Sequence, residues 1–177
     1  MKSKNLAFWP ILISAFALDF ATKRWAENHL LPMYTPHELI GNTVRLTLAF
    51  NKDAAMGLSL GAYSRVGFTL IAIVVLVVLG VFYRQTPASA AGSAISLGLV
   101  AAGALGNLMD RVLFSQGVVD FIDVGVGAAR FYTFNVADAS ITCGAILLAA
   151  LSLKKPKPTD APAITPAIAH ARDELAG

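Results

Sequence analysis

The chain has 177 residues, of which 56% are hydrophobic and 14% charged, with a net charge of +3. Soluble domains average about 25% charged and about 45–50% apolar residues, so this composition, with a mean hydropathy of +0.64, is that of a helical membrane protein. The small net charge, without any block of basic residues interleaved with aromatics, excludes nucleic acid as an expected partner, and the lone Cys143 excludes an intrachain disulfide.

Leu6–Thr22 is the first of four apolar segments; Val66–Tyr83, Ala88–Met109 and Val136–Leu153 follow. Each approaches or reaches the ~20 residues that a helix needs to cross a bilayer. Lys2, Lys4 and Ala15-Phe16-Ala17 also resemble a signal peptide's basic start and cleavage motif. The apolar character continues past Asp19, and the later spans need no export signal, so a retained span is expected.

Between the first two spans lies an outer segment over 26–65, too long for a structureless loop in a compact protein. Within it Val44, Leu46, Leu48 and Phe50 alternate with Arg45, Thr47 and Ala49, the period-two pattern of a half-buried strand. A small β element on the outer face is expected, with Asn51–Gly57 as the turn leading out of it.

In the third span Ala94, Gly98, Ala102 and Gly106 recur every fourth residue. Such a stripe lets helix backbones approach closely in lipid, where packing replaces the hydrophobic drive. One step further along the same face is Asp110, with Gly103 and Asn107 beside it, so Asp110 is expected to project into the bundle. Cys143, in the fourth span, reads as a small buried hydrophobe.

Four spans place both termini on one side. Lys2, Lys4, Arg84, Lys154, Lys155 and Lys157 make that side cytoplasmic by the positive-inside rule, although Lys23, Arg24, Arg45, Lys52, Arg65, Arg111 and Arg130 fall opposite. The expected organisation is one membrane domain over 1–153 and a Pro- and Ala-rich cytoplasmic tail over 154–177, expected to be disordered.

This topology brings Asp19, Asp110, Asp120, Asp123 and Asp138 toward one face of the membrane, the last two outer-loop acids being Asp120 and Asp123. An ionised side chain at the bilayer centre costs roughly 2.5–3.5 kcal/mol on insertion scales, so acids in or beside spans are rarely bystanders. Asn135 before the fourth span, with Asp138 three residues on, reads as an N-cap with an acid in the first turn. Complementing the helix dipole accounts for Asp138 alone. It does not account for the other acids at the same level.

Two carboxylates held close cannot both ionise comfortably, and the pair shares a proton. That supplies a base to draw a proton from water and an acid to protonate a departing amide, the aspartic-protease arrangement. His29, His37 and His170 lack a partnered Ser or Cys motif. No HExxH-like spacing points to a metal, and no cofactor is expected.

Three ordered motifs then carry a family resemblance: Gly103-Ala104-Leu105-Gly106-Asn107-Leu108-Met109-Asp110-Arg111, Val118-Val119-Asp120-Phe121-Ile122-Asp123 and Phe134-Asn135-Val136-Ala137-Asp138. They resemble the GGALGNxxDR, VVDFxD and FNxAD forms of lipoprotein signal peptidase (signal peptidase II). The resemblance extends over about residues 6–153 and includes Asp19 with Thr22-Lys23, Asn51 and Ala54-Ala55. It implies an aspartyl endopeptidase of the bacterial inner membrane, with its active site near the periplasmic face. Such an enzyme cuts prolipoproteins just before the lipid-modified cysteine. Carried over residue by residue, the catalytic pair falls on Asp120 and Asp138. Asp19, Lys23, Asn51, Asn107, Asp110, Arg111, Asn135 and Ala137 become the surrounding support and substrate-binding shell. For Lys23, snorkelling to the interface is the competing reading. Arg111 is expected to pair with its neighbour Asp110 and keep it charged.

The implied partners are a lipid-modified prolipoprotein, membrane phospholipid and cyclic lipopeptide inhibitors such as globomycin, with the protein monomeric. The chain departs from the family in Asp53, where Gly is usual after the Asn, in Ala102 for the first motif glycine, and in one extra residue before Asp120. These changes bear on outer-loop shape and substrate preference. A small proton- or ion-coupled transporter is the alternative from another class, since membrane acids also relay protons. Against it, the acids gather on one side and no span is broken midway.

Overall fold

In the computed structural model the described residues are 2–53 and 61–153. The 154–177 tail and part of the turn expected over Asn51–Gly57, including Ala54 and Ala55, lie outside them. Helices α1 (Lys2–His29), α2 (Ser64–Gln85), α3 (Ala91–Leu113) and α4 (Val136–Ser152) are joined by a small antiparallel sheet of β1 (His37–Ile40), β2 (Val44–Asn51), β3 (Val118–Val126) and β4 (Ala129–Arg130), ordered β1-β2-β3-β4. The first three helices are long and apolar enough to cross a membrane. The apolar α4 has 17 residues, about 26 Å at the helical rise per residue. This is a membrane all-α fold carrying a small β element, as expected.

The small side chains of α3 explain why it is the inner helix. It packs on α1 through Gly98, where an added Cβ would touch the Phe8 carbonyl and Ile11, and on α4 through Gly103. A Cβ at Gly103 would collide with the Ala137 carbonyl and with Ile141. By contrast, α2 buries only Ser64 and Phe68 and presents Leu70, Val74, Val77 and Val81 outward. Gly103→Val is accordingly expected to force α3 and α4 apart at a cost of about 1–3 kcal/mol, seen as a lower unfolding temperature in detergent. A melting point equal to the parent's would mean that the helices absorb the methyls without moving.

α1 continues to His29, well beyond the apolar run that ends at Thr22. Lys23 and Arg24 do not terminate it because partners inside the protein neutralise them: Asp19 and Asp110 for Lys23, Asp110 and Glu27 for Arg24. At the other end of the bundle the Lys4 ammonium donates to the Tyr83 and Thr86 carbonyls at 2.9 and 2.7 Å. It thereby satisfies acceptors that the C-terminus of α2 leaves free.

The sheet is larger than the sequence pattern indicated. β2 follows the period-two pattern, whereas Asp120 and Asp123, expected in an outer loop, lie in Val118–Val126, a central strand paired with β2 and β4. Its β-branched and aromatic residues, Val118, Val119, Phe121, Ile122, Val124 and Val126, favour a pleated ribbon. Gly117 starts it at φ +97, where an added Cβ would strike the Asn51 carbonyl of the paired strand. One face of the sheet closes over the helix ends, with Ala26, Leu30, Leu48, Val119 and Phe121 as its buried core. The register slips between Leu46 and Ala49 of β2. Such bulges turn a strand locally and re-aim its side chains. Beyond this one, Ala49 pairs with Asp120 and Asn51 with Val118.

Candidate active site

Asp120 comes from the middle of β3, and Asp138 from the first turn of α4. Asn135 joins them. Its side-chain nitrogen donates to Asp120 Oδ1 at 2.7 Å, while its side-chain oxygen accepts the backbone N–H of Asp138 at 2.9 Å. The Asn135 backbone N–H in turn donates to Asp138 Oδ2 at 3.3 Å. This reciprocal pair is a capping box, and it fixes the first turn of α4 against the strand. Asn51 donates to Asp120 Oδ2 at 3.1 Å, and Asn107 donates to Asp138 Oδ1 at 2.7 Å. Both carboxylates line one cavity of about 990 Å³, bounded in part by Tyr34, Phe50, Phe131 and Phe134.

Asp120 is 3% exposed. Burial, and after it the charge of Asp138, pushes its carboxyl up to about 7, against the pull of Asn51, Lys23 and Asn135. Near neutral pH the Asp120 carboxyl is therefore partly protonated.

Lys23 is buried beneath this pair, 1% exposed. Its ammonium reaches Asp19 Oδ2 at 2.8 Å, Asp110 Oδ2 at 3.0 Å and Asn107 Oδ1 at 3.0 Å. Three donors meet three acceptors, so the snorkelling reading is overturned. With Lys23 and Asn135 both donating to its oxygen, the Asn107 amide has to present nitrogen to Asp138. Asp19 Oδ1 accepts the backbone N–H of Ala137 at 2.8 Å, which ties α1 to the start of α4. Ala137 is fully buried, its methyl close to Gly106. A larger side chain has no room there.

The expected Arg111–Asp110 pair is not formed. Asp110 is held by Lys23, by Arg24 at 3.2 Å and by the Val119 N–H at 3.2 Å. The Arg111 guanidinium points elsewhere, donating to the Asn107 and Asp53 carbonyls at 3.2 and 3.1 Å. Adjacent residues on a helix project about 100° apart and do not face each other. Arg65 completes this corner by donating to the Arg111 carbonyl at 2.7 Å.

Of the five acids, Asp19, Asp110, Asp120 and Asp138 are linked in one network, and Asp123 is not. Strand side chains alternate, so residues three apart on β3 face opposite sides. Asp123 lies on the far side, bound by Arg45 at 2.7 Å, by Arg130 and by Thr47. Burial opposes its ionisation, but the hydrogen bonds from Arg130 and Arg45 outweigh it and hold the carboxyl below its usual range. Cys143 also departs from expectation: it is exposed and lines the cavity. Arg24 was missed as a site residue, since a cation at the end of a span reads as an interfacial anchor and nothing in its local pattern points to Asp110.

A family model described as signal peptidase (SPase) II matches residues 11–154. The lipoprotein signal peptidase of Pseudomonas putida is 39% identical over 159 residues, 88% of this chain and 92% of the relative. That of Hydrogenovibrio crunogenus is 38% identical over 133 residues, 74% of this chain and 76% of the relative. A solved structure described as a bacterial membrane enzyme determined by the in meso method superposes with a TM-score of 0.71 at 33% identity, over 82% of this chain and 92% of that one. A second structure of the same description gives 0.69 at 31% identity, over 83% and 92%. By sequence over most of its length and by fold, this multi-pass bacterial membrane protein belongs to the signal peptidase II family of peptidases.

Proposed function

We propose that this peptidase is an aspartyl endopeptidase that removes the signal peptide from diacylglyceryl-modified prolipoproteins, cutting before the lipid-bearing cysteine. One observation carries the reading: two carboxylates remote along the chain are both tied to Asn135 and face one cavity. The names of the relatives, lipoprotein signal peptidases, support the substrate class.

The chemistry follows from the single proton on the pair. Asp120 holds it, and Asp138 takes a proton from water as the water oxygen attacks the scissile carbonyl carbon. Asp120 protonates the carbonyl oxygen, giving a neutral gem-diol. On collapse, Asp138 gives its proton to the departing amide nitrogen, and a diol hydroxyl returns one to Asp120. The pair ends as it began. Asn51, Asn107 and Asn135 keep both carboxylates oriented throughout, which avoids reorganisation during the reaction. The site lies at the end of the bundle that carries the sheet, and we place that end at the periplasmic face with both termini cytoplasmic. There a lipid-anchored cysteine stays in the outer leaflet while water reaches the bond.

The sign of the pH dependence is set by the proton on Asp120. It is present below about 7 and lost above it, so cleavage should fall as pH rises through that value. Purified protein given a diacylglyceryl-modified precursor should yield a product beginning at the lipidated cysteine, with kcat/KM declining tenfold per pH unit on the alkaline side. A cut elsewhere would refute the assigned substrate, and a profile flat through neutrality would refute the shared proton.

A further inference from the structure

The cavity has two unlike walls. Outside α4 it is bounded by sheet and loop residues, among them Met33, Tyr34, Phe131 and Phe134. Below the acids its described lining is the single face of α4 formed by Asp138, Ala139, Thr142 and Cys143. These positions are i, i+1, i+4 and i+5, so they share one helix surface, and Cys143 lies about 7.5 Å along the axis from Asp138 toward the bilayer interior. Thr142 and Cys143 are exposed there. The Thr142 hydroxyl is turned back onto its own helix, donating to the Asp138 carbonyl at 2.8 Å. What the wall offers an incoming group is therefore a short methyl and a thiol, with no free donor from Thr142.

We infer that this face of α4 receives the apolar peptide segment on the amino side of the scissile bond, and that Thr142 and Cys143 set the side-chain size admitted next to the cut. The inference rests on the proposed cleavage reaction and adds a specificity surface to it. An apolar peptide approaching from the lipid has to bring a backbone up to Asp138 without itself being held off. Small side chains permit that close approach in a membrane, where packing takes the place of the hydrophobic drive. Acyl chains gain nothing from such a narrow, small-residue surface, whereas the broad aromatic walls above offer them extensive contact area.

The chain has one cysteine, so thiol chemistry addresses this wall alone. Full-length protein is treated with methyl or benzyl methanethiosulfonate, and cleavage of a diacylglyceryl-modified precursor is followed. The benzyl adduct is expected to lower kcat/KM roughly tenfold or more and the methyl adduct far less, since each added carbon in a fitted pocket counts severalfold. Dithiothreitol should restore the rate, and in Cys143→Ser neither reagent should change the variant's own rate. The loss in the benzyl adduct should shrink for precursors with a smaller residue before the cut. Full labelling without any change in rate would overturn the inference while leaving the proposed reaction standing. Relief by shorter acyl chains instead would also overturn it, by assigning the wall to lipid. Absence of cleavage by the unlabelled protein would sink the reaction itself.

Discussion

Asp120→Asn and Asp138→Asn are each expected to reduce single-turnover cleavage of a lipidated precursor by at least about a thousandfold, with helical content and unfolding temperature retained. The substitution is nearly isosteric, so the shape of the site is preserved although one of the two hydrogen bonds to each carboxylate is lost, and neither amide can pass a proton. The double variant should be no slower than the slower single one, because residues that act as a unit lose their joint contribution once. An additive loss would mean that each acid works separately. Substantial activity in either single variant would dismiss the two-carboxylate mechanism.

Lys23→Met carries the largest expected effect on stability. The ammonium sits among Asp19, Asp110 and Asn107 with side chains 1–3% exposed in both of its ion pairs. Removing one partner from a buried network leaves uncompensated charge and costs about 3–5 kcal/mol. An interfacial cation of the snorkelling kind would cost less than about 1 kcal/mol. Thermal unfolding in detergent separates the two. Adding Asp19→Asn to Lys23→Met should recover part of the loss, because the stranded carboxylate is then removed. A Lys23→Met protein as stable as the parent would show that the network contributes little to holding α1 on α3. Asp110 retains Arg24 in that variant, so its contribution persists.

Several features of the molecule were legible in local sequence patterns. Apolar run lengths marked four helices, because crossing hydrocarbon sets a minimum length that few other contexts demand. The four-residue spacing of small side chains identified α3 as the inner helix, and Gly98 and Gly103 show why: backbone carbonyls of neighbouring helices lie where a Cβ would be. Asn135 and Asp138 announced their capping box through a spacing of three. The motif resemblance named the residues that meet at the cavity, including Asn51, far from the others along the chain.

Other features have no local signature. Val118–Val126 is rich in β-branched and aromatic residues, but it becomes a strand only with β2 lying alongside to pair with it, in a register set by a bulge in β2 that no alternation pattern announces. Once it is a strand, alternation puts Asp120 and Asp123 on opposite faces, Asp123 with Arg45 and Arg130, a separation invisible when both are merely outer-loop acids. Arg111 stands next to Asp110 in sequence yet faces away from it, while Lys23 and Arg24 arrive from another helix to neutralise that carboxylate. Run length, residue spacing and capping are properties of a few consecutive residues, so they are written into the chain. Which charge answers which, and which carboxylate is pressed into a dry enough corner to keep its proton near neutral pH, depends on distances between segments that only packing establishes.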